Sequence, residues 1–338
     1  MLRSMYSGIS GLKAQQTKLD VVGNNIANAN TTAFKSQSIR FQDMLSQNMS
    51  QATGPSANIG GSNPRQVGLG VQVAGIFTKF TTGNMQTTGN KLDAAIDGSG
   101  FFVVGRGPLV DGASDDYIAV DSTTHEMTAN KNMEIMFTRD GSFSLDSQGN
   151  LLTGDGLRVF GYENTSAKIS YSVSDSKKQN IIEKPSDLKA EPTFGDVLKP
   201  LTIPDSIGVD PDAIRIQSFS IGKDGVITAS LVSGDKLAIG QIAMASFKND
   251  AGLEKMGRNA YQVSANSGDP MIRSKNGATA NDNSKGYGNM LQSMIEMSNV
   301  DLAEEFTEMI VANRAFQACG KMITTGDEIL QELVNLKR

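Results

Sequence analysis

Few residues in this chain could do covalent or metal chemistry, and they are scattered. Among 338 residues there is one His and one Cys. His125 stands in the polar run Asp121-Ser122-Thr123-Thr124-His125-Glu126 without a second imidazole to share a metal ion, so it reads as a surface residue. Cys319 would need a base to become a nucleophile, and the lone imidazole is far away in sequence; it reads as a half-buried structural thiol. A single Cys also excludes any disulfide within the chain. The run Asp140-Gly141-Ser142-Phe143-Ser144-Leu145-Asp146-Ser147-Gln148-Gly149-Asn150 has the rhythm of a calcium loop. However, Ser142 and Ser144 replace acidic ligands, Leu145 replaces the turn Gly, and Leu151 replaces the closing Glu. Phe143 and Leu145 alternate, so the spacing predicts two turns flanking a strand. Gly98-Ser99-Gly100 leads into Phe101-Phe102-Val103-Val104, a β-run where a phosphate cradle needs a helix. With no nucleophile elbow or paired-carboxylate motif either, the residues predict no enzyme, no metal and no cofactor.

The rest of the composition narrows the class. Lys+Arg number 31 and Asp+Glu 36, without a basic stripe, which disfavours a nucleic-acid binder. No apolar run approaches the roughly 20 residues of a membrane span, so no membrane insertion is expected. The opening Met1-Leu2-Arg3-Ser4-Met5-Tyr6-Ser7-Gly8 leads into an amphipathic stretch, not a secretory h-region, and this counts against a surface adhesin. Gly numbers 35, Trp is absent and aromatics are 6%: a turn-rich chain with a lean core, whose apolar content is partly available for contacts between molecules.

Both ends show helical heptads. Leu2, Met5, Ile9, Leu12, Leu19 and Ile26, with Gln16 and Gly23 between, step alternately by 3 and 4. The helix is expected to stop near Ala29, where Asn28-Ala29-Asn30-Thr31-Thr32 competes for backbone bonds. Near the other end Leu302, Phe306, Met309, Asn313, Phe316, Gly320, Ile323, Asp327, Leu330 and Val334 step by 4 and 3. Ser298 or Asn299 is the expected N-cap; Asp301, Glu304 and Glu305 favour the positive end of the helix dipole, and Lys337 and Arg338 the negative end. Residues 1–30 carry three basic residues and one acidic, a net +2; residues 299–338 carry four basic and seven acidic, a net −3. Opposite charge on two such seams predicts that the termini pair as a coiled coil. Five Met residues (Met290, Met294, Met297, Met309 and Met322) fall in or near the second helix and read as core or interface packing.

Between the ends the period becomes two. Residues 67–73, 214–221 and 239–247 alternate, and turn signals such as Thr82-Gly83-Asn84, Thr88-Gly89-Asn90, Gln148-Gly149-Asn150 and Lys223-Asp224-Gly225 separate such runs. The fold class is therefore α+β: terminal helices with a mainly antiparallel β region between them. Residues 1–30 and 299–338 would form a helical base, 31–66 and 266–298 polar connecting arms, and 67–265 the β region. Residues 163–197 read as an exposed polar insertion too poor in apolar residues for a core.

Several segments in order resemble the bacterial flagellar rod and hook proteins. They are Ser7-Gly8-Ile9-Ser10-Gly11-Leu12 and the run through Asn24, Asn25, Ala27, Asn28, Asn30, Thr31, Thr32, Phe34 and Lys35. The likeness continues in residues 89–102 and 137–146, and closes with Asn299, Val300, Asp301, Leu302 and residues 323–330. Ala33 stands where the family usually has Gly, and Cys319 where it commonly has a polar residue. Within the family the chain looks most like the shorter hook proteins, through Phe41-Gln42-Asp43-Met44 and residues 63–70; the distal rod protein is the alternative. The resemblance implies a β region split into an inner part (67–147 with 240–265) and an outer part (148–239). It also implies a self-assembling, torque-bearing tubular polymer, exported by the type III apparatus to the flagellum outside the cell. Its expected partners are itself, the rod, the hook cap and the hook–filament junction proteins. The heptad residues would be its assembly seam.

Overall fold

The structure, a computed structural model, describes residues 2–55, 60–107, 118–121, 125–129, 133–171, 180–183, 192–208, 213–272 and 288–336. It has two long helices, α1 (Leu2–Ala27) and α2 (Leu302–Asn335), which precede and follow a mostly antiparallel β region in the sequence. The chain divides into two units: residues 1–30, 35–79 and 300–338 form one, and residues 31–34 and 80–299 the other. Expectations for Lys337, Arg338 and parts of the arm 266–298 and the insertion 163–197 fall outside the described residues.

The helical unit contains α1, α2 and two hairpin ladders. Strands β1 (Gln37–Asp43) and β4 (Val71–Thr78) pair antiparallel from Gln37↔Thr78 to Asp43↔Val71, and β2 (Ser46–Ser50) pairs with β3 (Arg65–Gly68). The arm expected at 31–66 therefore contains paired strand at 37–43, 46–50 and 65–66. Ser, Gln, Asn and Thr conceal it in the sequence because they show no apolar alternation when both faces of a ribbon stay wet. α1 ends at Ala27, close to the expected stop, and Asn28 folds back to donate to the Asn24 carbonyl. The cap of α2 is Asp301, not Ser298 or Asn299: its carboxylate accepts from the backbone N–H of Ala303 at 2.8 Å and of Glu304 at 3.4 Å. Asn299 instead directs its side-chain amide to Thr81 Oγ1, 2.9 Å away.

In the other unit, β5 (Met85–Thr87) and β6 (Ala94–Asp97) each belong to a separate two-stranded sheet, and β7 (Phe101–Arg106) begins the main ladder. β7 is buried from Phe101 to Gly105 and pairs antiparallel with residues 134–138, 158–164 and 244–246. The strand 158–164 continues the ladder to 194–200 and 236–242, and from there to 226–231 and 214–221. The hairpins at Gln148-Gly149-Asn150 and Lys223-Asp224-Gly225 stand where their turn residues placed them. Both 140–142 and 146–150 are turns on either side of the strand Phe143–Leu145, and the two acids serve them. Asp140 Oδ1 accepts from Ser142 N and Oγ, and Asp146 Oδ1 accepts from Gln148 N and Asn150 N. Gly141 is required by space: a Cβ there would fall 1.5 Å from the Ala94 carbonyl oxygen.

Two expectations change here. The described part of the insertion at 163–197 is not an exposed excursion, because Ala167, Ile169, Tyr171 and Ile182 join the main buried cluster. Tyr171 donates its hydroxyl to the Pro200 carbonyl at 2.7 Å. A few apolar residues suffice when each one faces inward, which composition averaged over the segment cannot show. The same cluster runs from Ala94, Ile96 and Phe102 to Leu201, Leu231 and Ile239, so it draws on both the inner and the outer part of the expected division. Met290 is buried there as core packing, in the strand 289–292 paired with β6, and Met294 lies in 294–296 paired with β5.

Candidate assembly site

α1 and α2 pack antiparallel, so the terminal helices do meet. A Cβ on Gly326 would lie 3.3 Å from Met5 Cγ, one on Gly8 3.3 Å from Ile323 Cγ1, and one on Gly11 3.0 Å from Cys319 Sγ. Further along, Lys18 Nζ is 3.3 Å from Glu308 Oε2, and Asn25 Nδ2 donates to Glu305 Oε1 at 2.9 Å. The closest approaches from α1 are at Gly8 and Gly11. Gly8, Gly11, Ala14, Val21, Val22 and Asn25 are buried on α1, while on α2 only Ala312 is fully buried. Absence of a side chain lets the backbones come near, as small residues do wherever helices cross closely.

The contact seam is therefore displaced from the one expected. On α1 it follows Gly8, Gly11, Gln15, Lys18, Val22 and Asn25, one residue before the series Ile9, Leu12, Gln16, Leu19, Gly23 and Ile26. On α2 it keeps half-buried Met309, Ile323 and Leu330 but not Phe316, which is exposed, and its second row is Glu305, Ala312, Cys319 and Gly326. The expected row of Phe306, Asn313, Asp327 and Val334 faces outward, with Phe306 50% and Val334 65% exposed; Leu302 is exposed too. Met5, Leu12, Leu19 and Ile26 are half-buried, and Ile9 is exposed; of Leu2 only the helical backbone is described. A search for large apolar residues passes over Gly, Ala and Cys. Ala312, Cys319 and Gly326, seven apart on α2, with Gly8 and Gly11 on α1, were the signal that would have found this part of the contact.

The Asn- and Thr-rich motif after α1 is a set of backbone clamps. Asn25 is 1% exposed and acts like a strand neighbour to Gln37: its Nδ2 donates to the Gln37 carbonyl at 2.8 Å and its Oδ1 accepts from Gln37 N at 3.0 Å. With Glu305 as third partner, one amide ties the end of α1, the start of β1 and the first turn of α2. Burial pushes the Glu305 carboxyl up; the Asn25 hydrogen bond and Lys79 oppose this, and Glu308 and Glu304 add to it. Glu305 Oε2 is buried without a hydrogen-bond partner. Asn24 Oδ1 accepts from Asn28 Nδ2 at 2.7 Å, whereas Ala27 and Asn30 are exposed. Lys35 is fully buried in the same unit, and Val300 is half-buried.

Residues 31–34 belong to the β unit. Thr32 accepts from Asn259 Nδ2 at 2.9 Å, and Phe34 is buried beneath Lys255 Nζ, 4.2 Å from the ring centre. Thr31 is half-buried and its carbonyl accepts from Phe34 N. Ala33, the residue where family members usually have Gly, takes a left-handed φ of 55° and donates to the Glu296 carbonyl at 2.8 Å. The Glu296 carboxylate is fully buried, 3.2 Å from Arg139 Nη1, and accepts from Gly83 N at 2.8 Å. Arg139 also donates to the Gly98 carbonyl and lies over Phe101. Sequence reasoning did not single out this pair, since nothing in the spacing of residues 139 and 296 marks them as neighbours.

His125 has a left-handed φ of 60°, and its backbone N–H donates to the Asp121 carbonyl. Among the described residues no three His, Cys, Asp or Glu side chains are grouped to hold a metal ion, and no helix is long and apolar enough to cross a membrane.

Comparison with known proteins gives this arrangement its context. Residues 5–35 match the family profile "Flagella basal body rod protein", 126–229 match "Flagellar hook protein FlgE/F/G D1 domain", and 291–336 match "Flagellar basal body rod FlgEFG protein C-terminal". The Bacillus subtilis flagellar basal-body rod protein FlgG is 40% identical over 338 residues, all of both chains. The chain belongs to the flagellar rod and hook protein family. The Borreliella burgdorferi flagellar hook protein FlgE is 30% identical over 448 aligned positions, again covering all of both chains. Among solved structures, a Helicobacter pylori flagellar hook protein FlgE2 overlaps 63% of this chain and all of its own, with TM-score 0.39 and 10% identity, too slight a likeness to bear on the reading. Membership makes this protein a structural component of the flagellum. The α1 clamp and the α2 cap lie within the two segments that match the rod profiles.

Proposed function

We propose that the chain is a rod-type axial subunit, which polymerises with copies of itself into the torque-bearing tube of the flagellar basal body. The observation that carries this is length. The match to the B. subtilis rod protein takes 338 positions for 338 residues, whereas the hook match takes 448, so the hook relative has at least 110 residues with no counterpart here. The expectation of a hook subunit keeps support from the 30% identity to hook proteins and becomes the second reading.

In either case the heptad helices would form the inner tube and the β unit its outer layer. Export by the type III apparatus, growth under a cap, and contact with neighbouring rod, hook or junction proteins belong to the same proposal. Exposed Leu302, Phe306, Ile310 and Val311 on α2 supply apolar surface for such contacts. The test is complementation of B. subtilis cells lacking either FlgG or FlgE, with isolated basal bodies viewed by electron microscopy. Restored rods only in the first strain support the rod reading, and restored hooks only in the second replace it with the hook reading. Restoration in neither would remove both.

A further inference from the structure

Every covalent connection between the two units starts from three short stretches of the β unit. The chain passes from one unit to the other at Asn30/Thr31, Phe34/Lys35, Lys79/Phe80 and Asn299/Val300. On the β side these are residues 31–34, the run that begins at Phe80 and the run that ends at Asn299, and hydrogen bonds tie the three together. Asn299 N donates to the Phe34 carbonyl at 3.4 Å, and the Asn299 side-chain amide reaches Thr81 Oγ1 at 2.9 Å. Met297 N donates to the Asn84 carbonyl at 2.9 Å. Gly83 lies so close that a Cβ there would fall 2.1 Å from the Met297 carbonyl oxygen.

Glu296 alone touches all three stretches. It stands in the last of them, opposite Met85 of β5. Its carbonyl accepts from Ala33 N at 2.8 Å, and its Oε1 accepts from Gly83 N at 2.8 Å. Its Oε2 faces Arg139 Nη1 at 3.2 Å. Arg139 carries the connection inward. It directly follows the strand 134–138 of the main ladder, donates Nη2 to the Gly98 carbonyl at 2.6 Å and lies 5.4 Å from the Phe101 ring centre.

Stability alone is a poor reason for such a pair. Both side chains are buried, and Arg139 Nε has no hydrogen-bond partner. An apolar pair of similar volume is often as stable or more so. What the ionic pair adds is direction: charge-assisted hydrogen bonds hold at one geometry, whereas apolar attraction has none.

We propose that Glu296 and Arg139 form a mechanical brace, which holds the four connections as one block and passes tension on any of them into the main ladder. Its use in a torque-bearing subunit rests on the axial reading above. The brace itself belongs to a single chain and is measured on one.

In the test the full chain is held by its two ends in optical tweezers. Once α1 and α2 have parted, tension enters the β unit at residues 31 and 299. Arg139→Met with Glu296→Gln keeps an acceptor for Gly83 N and buries no charge. At fixed force this variant should release 31–34 and 294–299 at about ten times the parent rate or faster. Asn299→Ala, at a half-buried site, should speed the same step by a smaller factor. Ile227→Ala opens a cavity in the main buried cluster without touching any of these stretches, and should leave that step at the parent rate. Retained amide protection at residues 101–105 shows that each variant is folded. No acceleration in the folded brace variants overturns the proposal. An equal acceleration in Ile227→Ala does so too, since it would trace every effect to lost stability. Either failure leaves the complementation result standing, and loss of the axial reading there leaves this measurement unchanged.

Discussion

The β unit and the helical unit use apolar residues in opposite ways. Both buried clusters lie wholly in the β unit, with Phe101 fully buried and in edge-on contact with Phe80, Phe247 and Tyr261. The helical unit holds 19 of the 23 exposed large apolar residues among those described. One unit has closed its core within the chain. The other has paired its helices through small residues and left its large ones outward. The difference teaches that burial in the monomer is no guide to importance under the proposed polymer: an exposed Phe306 on an otherwise well-formed helix is apolar surface that the proposed contacts would use.

Breaking the closed core gives the largest expected effect. Glu296→Ala leaves Arg139 charged and unpaired in the interior and should cost the β unit about 3–5 kcal/mol in urea unfolding. An equal loss of helical signal at the same midpoint would show that the two units do not stand apart. Alkaline titration probes the same core. Burial, with Glu296 adding and Arg139 opposing, pushes the Tyr261 hydroxyl up to about 12. The folded state then holds a proton that the unfolded chain gives up near pH 10, so this stabilisation is complete below pH 10 and is lost as pH rises toward 12. The span is on the order of 3 kcal/mol, and Tyr261→Phe should flatten the slope.

Smaller effects are expected in the helical unit. Asn25→Ala removes three hydrogen bonds at one junction and should lower its stability by about 1–3 kcal/mol, read as earlier melting of the helical signal. Two glycines sharpen the claim of close approach. Gly23 has nothing within 4 Å of where a Cβ would sit, so Gly23→Ala should raise stability by about 0.5–1 kcal/mol through helix propensity. Gly11→Ala meets Cys319 Sγ and should lose that gain; equal gains at both positions would mean that the helices are not in tight contact there. Last, Phe306→Asp should leave the monomer within about 0.5 kcal/mol of the parent. Sedimentation should nevertheless show loss of polymer, because a charge in a dried interface is costly.

The amino-acid sequence was enough to establish the α+β class, the two terminal helices and several strands, including 214–221 to the residue. Those features follow from local periodicity: 3.5 against 2 residues per repeat is visible without neighbours. It also carried the family, because the motifs after α1 and before α2 are runs of adjacent residues. The wet ribbon at 46–68 was not legible, since its polar strands carry no alternation. Nor was the buried cap on Ala167, Ile169, Tyr171 and Ile182, which depends on partners elsewhere in the chain. Which row of each helix makes the contact was decided by tertiary structure alone. On α2, Ala312, Cys319 and Gly326 run one position before Asn313, Gly320 and Asp327 of the expected heptad, and both rows are consistent with the same sequence. The backbones settled on the small row, where Gly8 and Gly11 allow approach to Cys319 and Ile323, and so turned the large row outward. Side-chain volume can be read from a sequence, but the distance between two helix axes exists only when both are folded.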